Sequence, residues 1–366
     1  MFKKYRIIKW ILSTIAIFII AIVLLGVYIS SLLSKDDMSL SNSHVNDIEY
    51  IINDVPSYRG KILAVVTSTD SMSVNGKATG YELTELARAY YVFQANGFDV
   101  EIASPLGGKP PVVIDHDDMG PFDYAFLNDS IAKTKTNNSI ALKHIVPEDY
   151  KAVYFVGGKG AMFDFPDNTY IKALIKNFNS AHKVIGAVCH GPAALVNVKL
   201  ENEQPFLKNK QVSSFTNNEE LLLIPKAETI FPFLLQDKLI AEGAKFNEGI
   251  MYLEKVSHDG NLITGQNPWS VWALAETMVK QLGYAPKERE RTDEEHGVHV
   301  LYIYETEGKK AAKTLITQMI QEEQKSISRH IIINHSAISV LKGDLGKCYD
   351  MISLAAHAKD LENKKL

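Results

Sequence analysis

Cys189 and His190 stand side by side where an apolar run, 184–188, meets Gly191-Pro192. A short apolar run closed by Lys183 on one side and by a turn on the other reads as a strand buried on both faces. The stretch 193–198 is helix-friendly, which places the cysteine at a strand-to-helix turn on the carboxyl edge of a sheet. Unpaired amides and the helix dipole favour a thiolate there. The arrangement is that of a nucleophile elbow with sulfur in place of the serine hydroxyl. A small buried cysteine in a hydrophobic strand is the competing reading. The turn residues and the adjacent imidazole favour the nucleophile.

Such a sulfur needs a proton acceptor, a group to orient that acceptor, and donors for a developing oxyanion. His190 is the first candidate for the acceptor. The orienting acid is expected from the end of another strand, where Glu220 follows Phe215-Thr216 and Glu219 is its rival. Gly157-Gly158 ends a further strand and lets the main chain approach a ligand closely, so the amides of Gly158 and His190 are candidate oxyanion donors. Glu85 is not selected by periodicity. On a helical wheel Leu83, Leu86, Ala87 and Tyr90 form the apolar face, and Glu85 lies opposite, near Arg88, as a solvated residue would.

The elements that must position these groups alternate along the chain. Strand patterns at 61–67, 99–103, 152–156, 184–188, 211–216, 246–256 and 262–264 interleave with helix patterns at 81–96, 168–181, 231–243 and from 267 to about 282. This is an α/β fold with a mostly parallel, doubly wound sheet. The stretch 104–147, with Pro110-Pro111 and the acidic cluster 115–118, reads mostly as loop, and loops of that length are usually functional. Pro286 closes the domain, and 288–295 is a charged linker. Beyond it 298–304 reads as a strand, 309–324 as a helix, and 331–341 and 346–358 as two helices hinged at 342–345. This appended C-terminal module carries no catalytic constellation and reads as a packing or protein-binding unit.

Ahead of the sheet, residues 10–29 are apolar enough to span a bilayer as one helix. Lys3, Lys4, Arg6 and Lys9 precede them, while Lys35, Asp36 and Asp37 follow. The positive-inside rule keeps the amino terminus cytoplasmic and the rest outside. A cleaved signal peptide is the alternative, but 29–33 makes a poor cleavage site. The expected organisation is a basic end and transmembrane helix over 1–34, a polar tether over 35–58, a catalytic domain over 59–286 and the module over 287–366.

Composition narrows the classes further. The chain has 366 residues, 46% apolar and 22% charged, with a formal charge of −4. These are globular proportions, and they carry no argument for nucleic acid. Cys189 and Cys348 are the only cysteines, which excludes a disulfide framework and a clustered thiolate metal site. No cofactor and no metal is expected.

Eight short segments, taken in order, carry a resemblance. They are Thr79-Gly-Tyr-Glu-Leu-Thr-Glu85, Ala103-Ser-Pro-Leu-Gly-Gly-Lys-Pro-Pro111, Phe126-Leu-Asn128, Pro147-Glu-Asp-Tyr150, Gly157-Gly-Lys-Gly160, Ala187-Val-Cys-His-Gly-Pro-Ala193, Ser214-Phe-Thr-Asn217 and Thr264-Gly-Gln-Asn-Pro268. Over roughly 60–284 the chain resembles the ThiJ/PfpI superfamily, and within it the branch of stress-inducible chaperones and glyoxalase III enzymes. The resemblance implies a flavodoxin-like sandwich with class I glutamine amidotransferase topology. It implies Cys189 as nucleophile, His190 as its partner, Glu220 as the acid orienting the imidazole, Glu85 as the carboxyl bonded to the sulfur, and Gly158 and His190 as oxyanion amides. Gly157 and Lys159 belong to the same substrate-binding turn. Lys159 stands where the family usually has histidine, and the anchor and the tail after 286 lie outside the match.

The implied activity is cofactor-independent conversion of a small 2-oxoaldehyde such as methylglyoxal to a hydroxy acid, or related deglycation. A non-enzymatic chaperone or redox sensor is the second class. A glutamine amidotransferase, whose late histidine would have to be His258 beside Asp259, and a cysteine protease rank below these. A homodimer is compatible with the family.

Overall fold

The computed structural model describes residues 2–33, 40–72 and 76–364. It forms two compact units, one of Met38–Thr292 and one of Met1–Asp37 with Asp293–Leu366. Lys35, Asp36 and Asp37, half of the charge-bias argument, lie outside the described residues.

The larger unit is built on seven strands: β1 (Lys61–Val65), β2 (Asp99–Ser104), β3 (Ile140–Ala141), β4 (Tyr150–Phe155), β5 (Val184–Val188), β6 (Val256–Asp259) and β7 (Leu262–Gly265). They lie in the order β6-β7-β5-β4-β1-β2-β3. All pairings are parallel except the β6–β7 hairpin. β5 is buried at all five positions, as its unbroken apolar run requires. The chain leaves β1 toward β2 on one side and returns to β4 on the other. This reversal opens a crevice at the carboxyl ends of the central strands, where such sheets place their ligands.

Helix α2 (Leu83–Ala95) packs on one face of the sheet with α7 (Val271–Gln281), α5 (Thr169–Ser180) covers the other, and the short α6 (Leu235–Ala241) falls between α5 and α7 in the chain. Every residue of α2 except Gln94 is buried. The wheel argument that sent Glu85 to solvent is therefore overturned, because α2 has no solvent face. Arg88, its expected partner, pairs instead with Asp123 at 3.1 Å.

Three other expectations need correction in this unit. The stretch 104–147 is not mostly loop, since it contains α3 (Pro121–Asn128) and α4 (Ser130–Asn137). Pro121 opens α3 and Asp129 caps α4 by accepting from the amides of Ile131 and Ala132. Residues 45–52 are not a free tether. They form two short helical turns, Ile51 is buried, and Asn128 Nδ2 donates to the carbonyls of Ser41 and Ser43. The expected strands at 211–216 and 246–256 shrink to a two-residue pairing of Gln211–Val212 with Lys245–Phe246. The charged stretch after Pro286 also packs here, with the Arg289 guanidinium 4.0 Å over the Trp272 ring.

The second unit contains α1 (Phe2–Leu32) and four further helices: α8 (Asp293–Glu307), α9 (Lys309–Thr317), α10 (Arg329–Leu341) and α11 (Leu345–Asn363). Within α1, Trp10–Leu32 is 23 residues long and apolar enough to cross a membrane, by length and composition. The strand expected at 298–304 is helical. Its β-branched and aromatic residues suit a strand, but Glu294, His296, Gly297, Val298, Val300 and Leu301 are buried within one continuous helix. Tertiary burial overrides the local preference.

Candidate active site

Cys189 closes β5 with φ of 57°, a left-handed conformation that a side chain rarely adopts. The turn that follows is a 3-10 helix, Gly191–Leu195, and not the α-helix expected. Gly191 has to be glycine because a Cβ would fall 2.2 Å from the Phe155 carbonyl oxygen. The sulfur thus sits against the ends of β4 and β5 with no long helix dipole behind it. Burial pushes the Cys189 thiol well up, and the Glu85 carboxyl beside it adds to the shift while Lys159 opposes it. Burial thus works against the dipole-stabilised thiolate expected at this turn.

His190 comes round the same tight turn. Its Nδ1 lies 3.3 Å from Cys189 Sγ, and its Nε2 lies 2.6 Å from Glu220 Oε2. Burial works against an ionised Glu220, but the facing imidazole outweighs it and the carboxyl ends below its usual range. An ionised Glu220 accepts from Nε2–H, and in the neutral imidazole Nδ1 is then the acceptor turned toward the thiol. The ring is held between Phe215 and Phe231, at centroid distances of 4.8 and 6.1 Å. Glu219, the rival acid, points away. It closes a capping box with Thr216 and accepts from the Tyr252 amide and from Gln266 and Asn267 side chains. His258 is equally remote, bonded to the Gly260 carbonyl and Gln281 on the edge strand.

Glu85 is fully buried one turn into α2. Its Oε2 accepts from the Gly157 amide at 2.8 Å, and Tyr154 Oη donates to its main-chain carbonyl at 2.8 Å. Its Oε1 has no hydrogen-bond partner within the protein, and the Cys189 thiol stands beside the carboxyl. Burial raises the carboxyl to about 8, against the two hydrogen bonds, so it carries a proton at neutral pH. Gly157 cannot be larger, since a Cβ there would stand 2.4 Å from Glu85 Oε2 and 2.9 Å from Cys189 Cβ. Gly158 has φ of 97°. Among the described residues, neither its amide nor that of His190 hydrogen-bonds within the protein.

These groups line one cavity of about 170 Å³. The residues that the resemblance assigned to the site converge there or beside it: Cys189, His190, Gly158, Lys159 and Glu85 on its wall, with Glu220 and Gly157 bonded behind them. The sequence reading missed Glu82 and Asp118, which also line it. Burial raises Glu82 to about 9 and Asp118 to about 7. One buried oxygen of each, Glu82 Oε1 and Asp118 Oδ1, has no partner. Both lay inside stretches already marked, the Thr79 to Glu85 segment and the acidic cluster, yet no periodicity distinguishes them. Tyr252 and Trp269 complete the wall with apolar surface.

Residues 77–281 match the DJ-1/PfpI family, and the chain belongs to that family. It is 30% identical over 221 residues to the glutathione-independent glyoxalase hsp3102 of Schizosaccharomyces pombe, covering 57% of this chain and 91% of the relative. The crystal structure of glyoxalase III from Candida albicans superposes with a TM-score of 0.56 at 25% identity, over 62% of this chain and 98% of that one. The Rapid Encystment Protein 24 KDa of Francisella tularensis is similar at 35% identity and a TM-score of 0.58, over 61% and 99%.

Proposed function

We propose that the protein is a cofactor-independent glyoxalase acting on a small 2-oxoaldehyde such as methylglyoxal, with Cys189 as nucleophile. The observation that carries this reading is the Cys189 thiol held between the Nδ1 of His190 and the protonated carboxyl of Glu85 in a cavity of about 170 Å³. That volume suits a molecule of a few heavy atoms. The names of the relatives point to the same reaction.

In this reading Nδ1 of His190 takes the thiol proton and the sulfur adds to the aldehyde carbon, giving a hemithioacetal. The new alkoxide is met by the amides of Gly158 and His190 and by the Lys159 ammonium. The alkoxide recovers the proton from His190; a base, the imidazole so freed or Glu85 in its ionised form, then removes the hydrogen from the former aldehyde carbon, and the resulting enediol takes a proton back at the neighbouring carbon. The product is a 2-hydroxyacyl thioester. Water cleaves it to lactate and restores the thiol. Two carbons exchange oxidation level within one molecule, so no external oxidant or reductant is needed.

An oxidant sensor would use an exposed, acidic thiol. Cys189 is 5% exposed and its thiol is raised, which favours substrate chemistry over sensing. Residues 10–29 are proposed to remain as a membrane anchor with the amino terminus inside, placing the catalytic unit on the far side of the membrane. The test is lactate formation from methylglyoxal by the full chain in detergent, without glutathione or added metal. Cys189→Ala should lower the rate to background, a loss of at least about 10³-fold. Full turnover by that variant would end the proposal.

A further inference from the structure

The C-terminal helices hold the exit of α1. Leu32 is 2% exposed, and the buried Arg329 donates through Nη1 to its carbonyl at 2.5 Å. Arg329 is itself fixed by Glu362, Nε to Oε2 at 3.2 Å, and Lys359 Nζ donates to the Ser31 carbonyl at 2.6 Å. The last carbonyls of a helix lack intrahelical donors and carry partial negative charge. Here two cations from α10 and α11 cap them. If α1 spans a membrane, these helices therefore lie at its surface.

Beside this clasp is an open depression of about 470 Å³ between α9 and α11. It is lined by the stems and heads of Lys309, Lys310 and Lys313 with Thr314, Thr317 and His357. His357 is two residues from Lys359, about 3 Å along α11, and its Nε2 lies 3.0 Å from Thr317 Oγ1. Lys309 is neutralised by Asp350 at 2.8 Å. Among the described residues Lys310 and Lys313 lie within ion-pairing distance of no carboxylate, although Asp350 is near enough to feel the Lys313 charge. The hydroxyls of Thr314 and Thr317 donate to the carbonyls of Lys310 and Lys313, so the two ammonium groups are the donors left to cradle a phosphate oxygen cluster.

We propose that this depression binds the phosphate of an anionic phospholipid beside the point where α1 leaves the bilayer. The clasp brings the cradle to headgroup depth, and the two lysines supply the charge. Each lysine near an anionic leaflet contributes about a factor of five in binding. The proposal rests on the membrane reading of α1 and is independent of the chemistry at Cys189.

Native mass spectrometry of the full chain in mild detergent, titrated with phosphatidylglycerol or phosphatidylcholine, tests it. Phosphatidylglycerol should be retained about tenfold more strongly. The K310Q/K313Q variant should lose that preference, while K342Q, at the far turn of the α10–α11 hairpin, should keep it. Equal retention of the two lipids, or an unaltered preference in K310Q/K313Q, would overturn the proposal. Displacement of the lipid by millimolar inorganic phosphate would do so too, by identifying a free phosphate site. Should the glutamine variant misfold, lysine acetylation footprinting of the wild type replaces it: phosphatidylglycerol should protect Lys310 and Lys313, and absence of protection counts against the site. Alkaline carbonate extraction checks the anchor separately, because a released wild-type protein refutes the membrane reading of α1 while lipid preference in detergent still reports on the cradle.

Discussion

Burial pushes Glu85 and Cys189 together toward their protonated forms, the carboxyl to about 8 and the thiol well above its usual range. Below that pH the pair holds two protons. Loss of one leaves a single proton to be shared between sulfur and carboxyl, which is the state competent for attack. The rate of Cys189 alkylation by iodoacetamide should therefore rise through about pH 8. In Glu85→Gln that limb should vanish and leave only the thiol's own titration. Glutathione-free turnover should fall about 10² to 10⁴-fold in the same variant. An unchanged alkylation profile would remove Glu85 from the proton path.

Glu82 makes a separate prediction about stability. Its carboxyl is raised from 4.5 to about 9, chiefly by burial and then by Glu85 and Asp118. The folded state therefore binds a proton that the unfolded chain has lost, and the sign follows from linkage. Stability is fully present below about pH 4.5 and falls as pH rises toward 9. Glu82→Gln should leave unfolding unchanged near pH 4 and stabilise by at least about 1 kcal/mol at pH 8, read from urea denaturation at both values. A variant equally stable at both would refute the assignment. Little of this was visible in the sequence. The wheel placed Glu85 in water because it assumes one wet face, and Glu82 has no pattern that marks it.

At the scale of elements, α2 is tied to its surroundings by one guanidinium. Arg88 donates to Asp123 Oδ2, to the carbonyl of Asp118 at 2.5 Å and to that of Pro268 at 3.2 Å, and it lies 4.8 Å over the Trp269 ring. Asp118, Pro268 and Trp269 are cavity wall, so this ion pair shapes the site without touching the sulfur. Arg88→Met leaves Asp123 buried without its partner and should cost about 3 to 5 kcal/mol. The double variant Arg88→Met/Asp123→Leu should recover part of that loss, and calorimetry of the four proteins measures the coupling. Strands were the most legible elements, because β1, β4 and β5 carry apolar runs and β2 alternates Asp99-Val-Glu-Ile before its turn. α3 and α4 were missed although Pro121 and Asp129 are ordinary helix-start signals, because the prolines and carboxylates around them read as loop. The close meeting of α8 and α10 was also hidden. A Cβ on Gly297 would stand 2.9 Å from the Ser328 carbonyl oxygen, so Gly297→Val should lower the melting temperature of this unit, followed by circular dichroism. An unaltered transition would show that the helices separate freely.

For the whole molecule, the sheet unit occupies the middle of the chain and the helical unit takes its two flanks. A ribosome that has delivered residues up to 292 into the open has supplied everything the cavity needs, yet α1 still lacks Arg329 and Lys359. Synthesis thus imposes a schedule, with the cavity complete first and the seal on the end of α1 last. Stalled chains with about 300 residues exposed should already label at Cys189 with an aldehyde probe while their α1 exit stays open to protease. Release of the remaining helices from the ribosome should close that window, and a chain protected from the start would mean the seal forms without them.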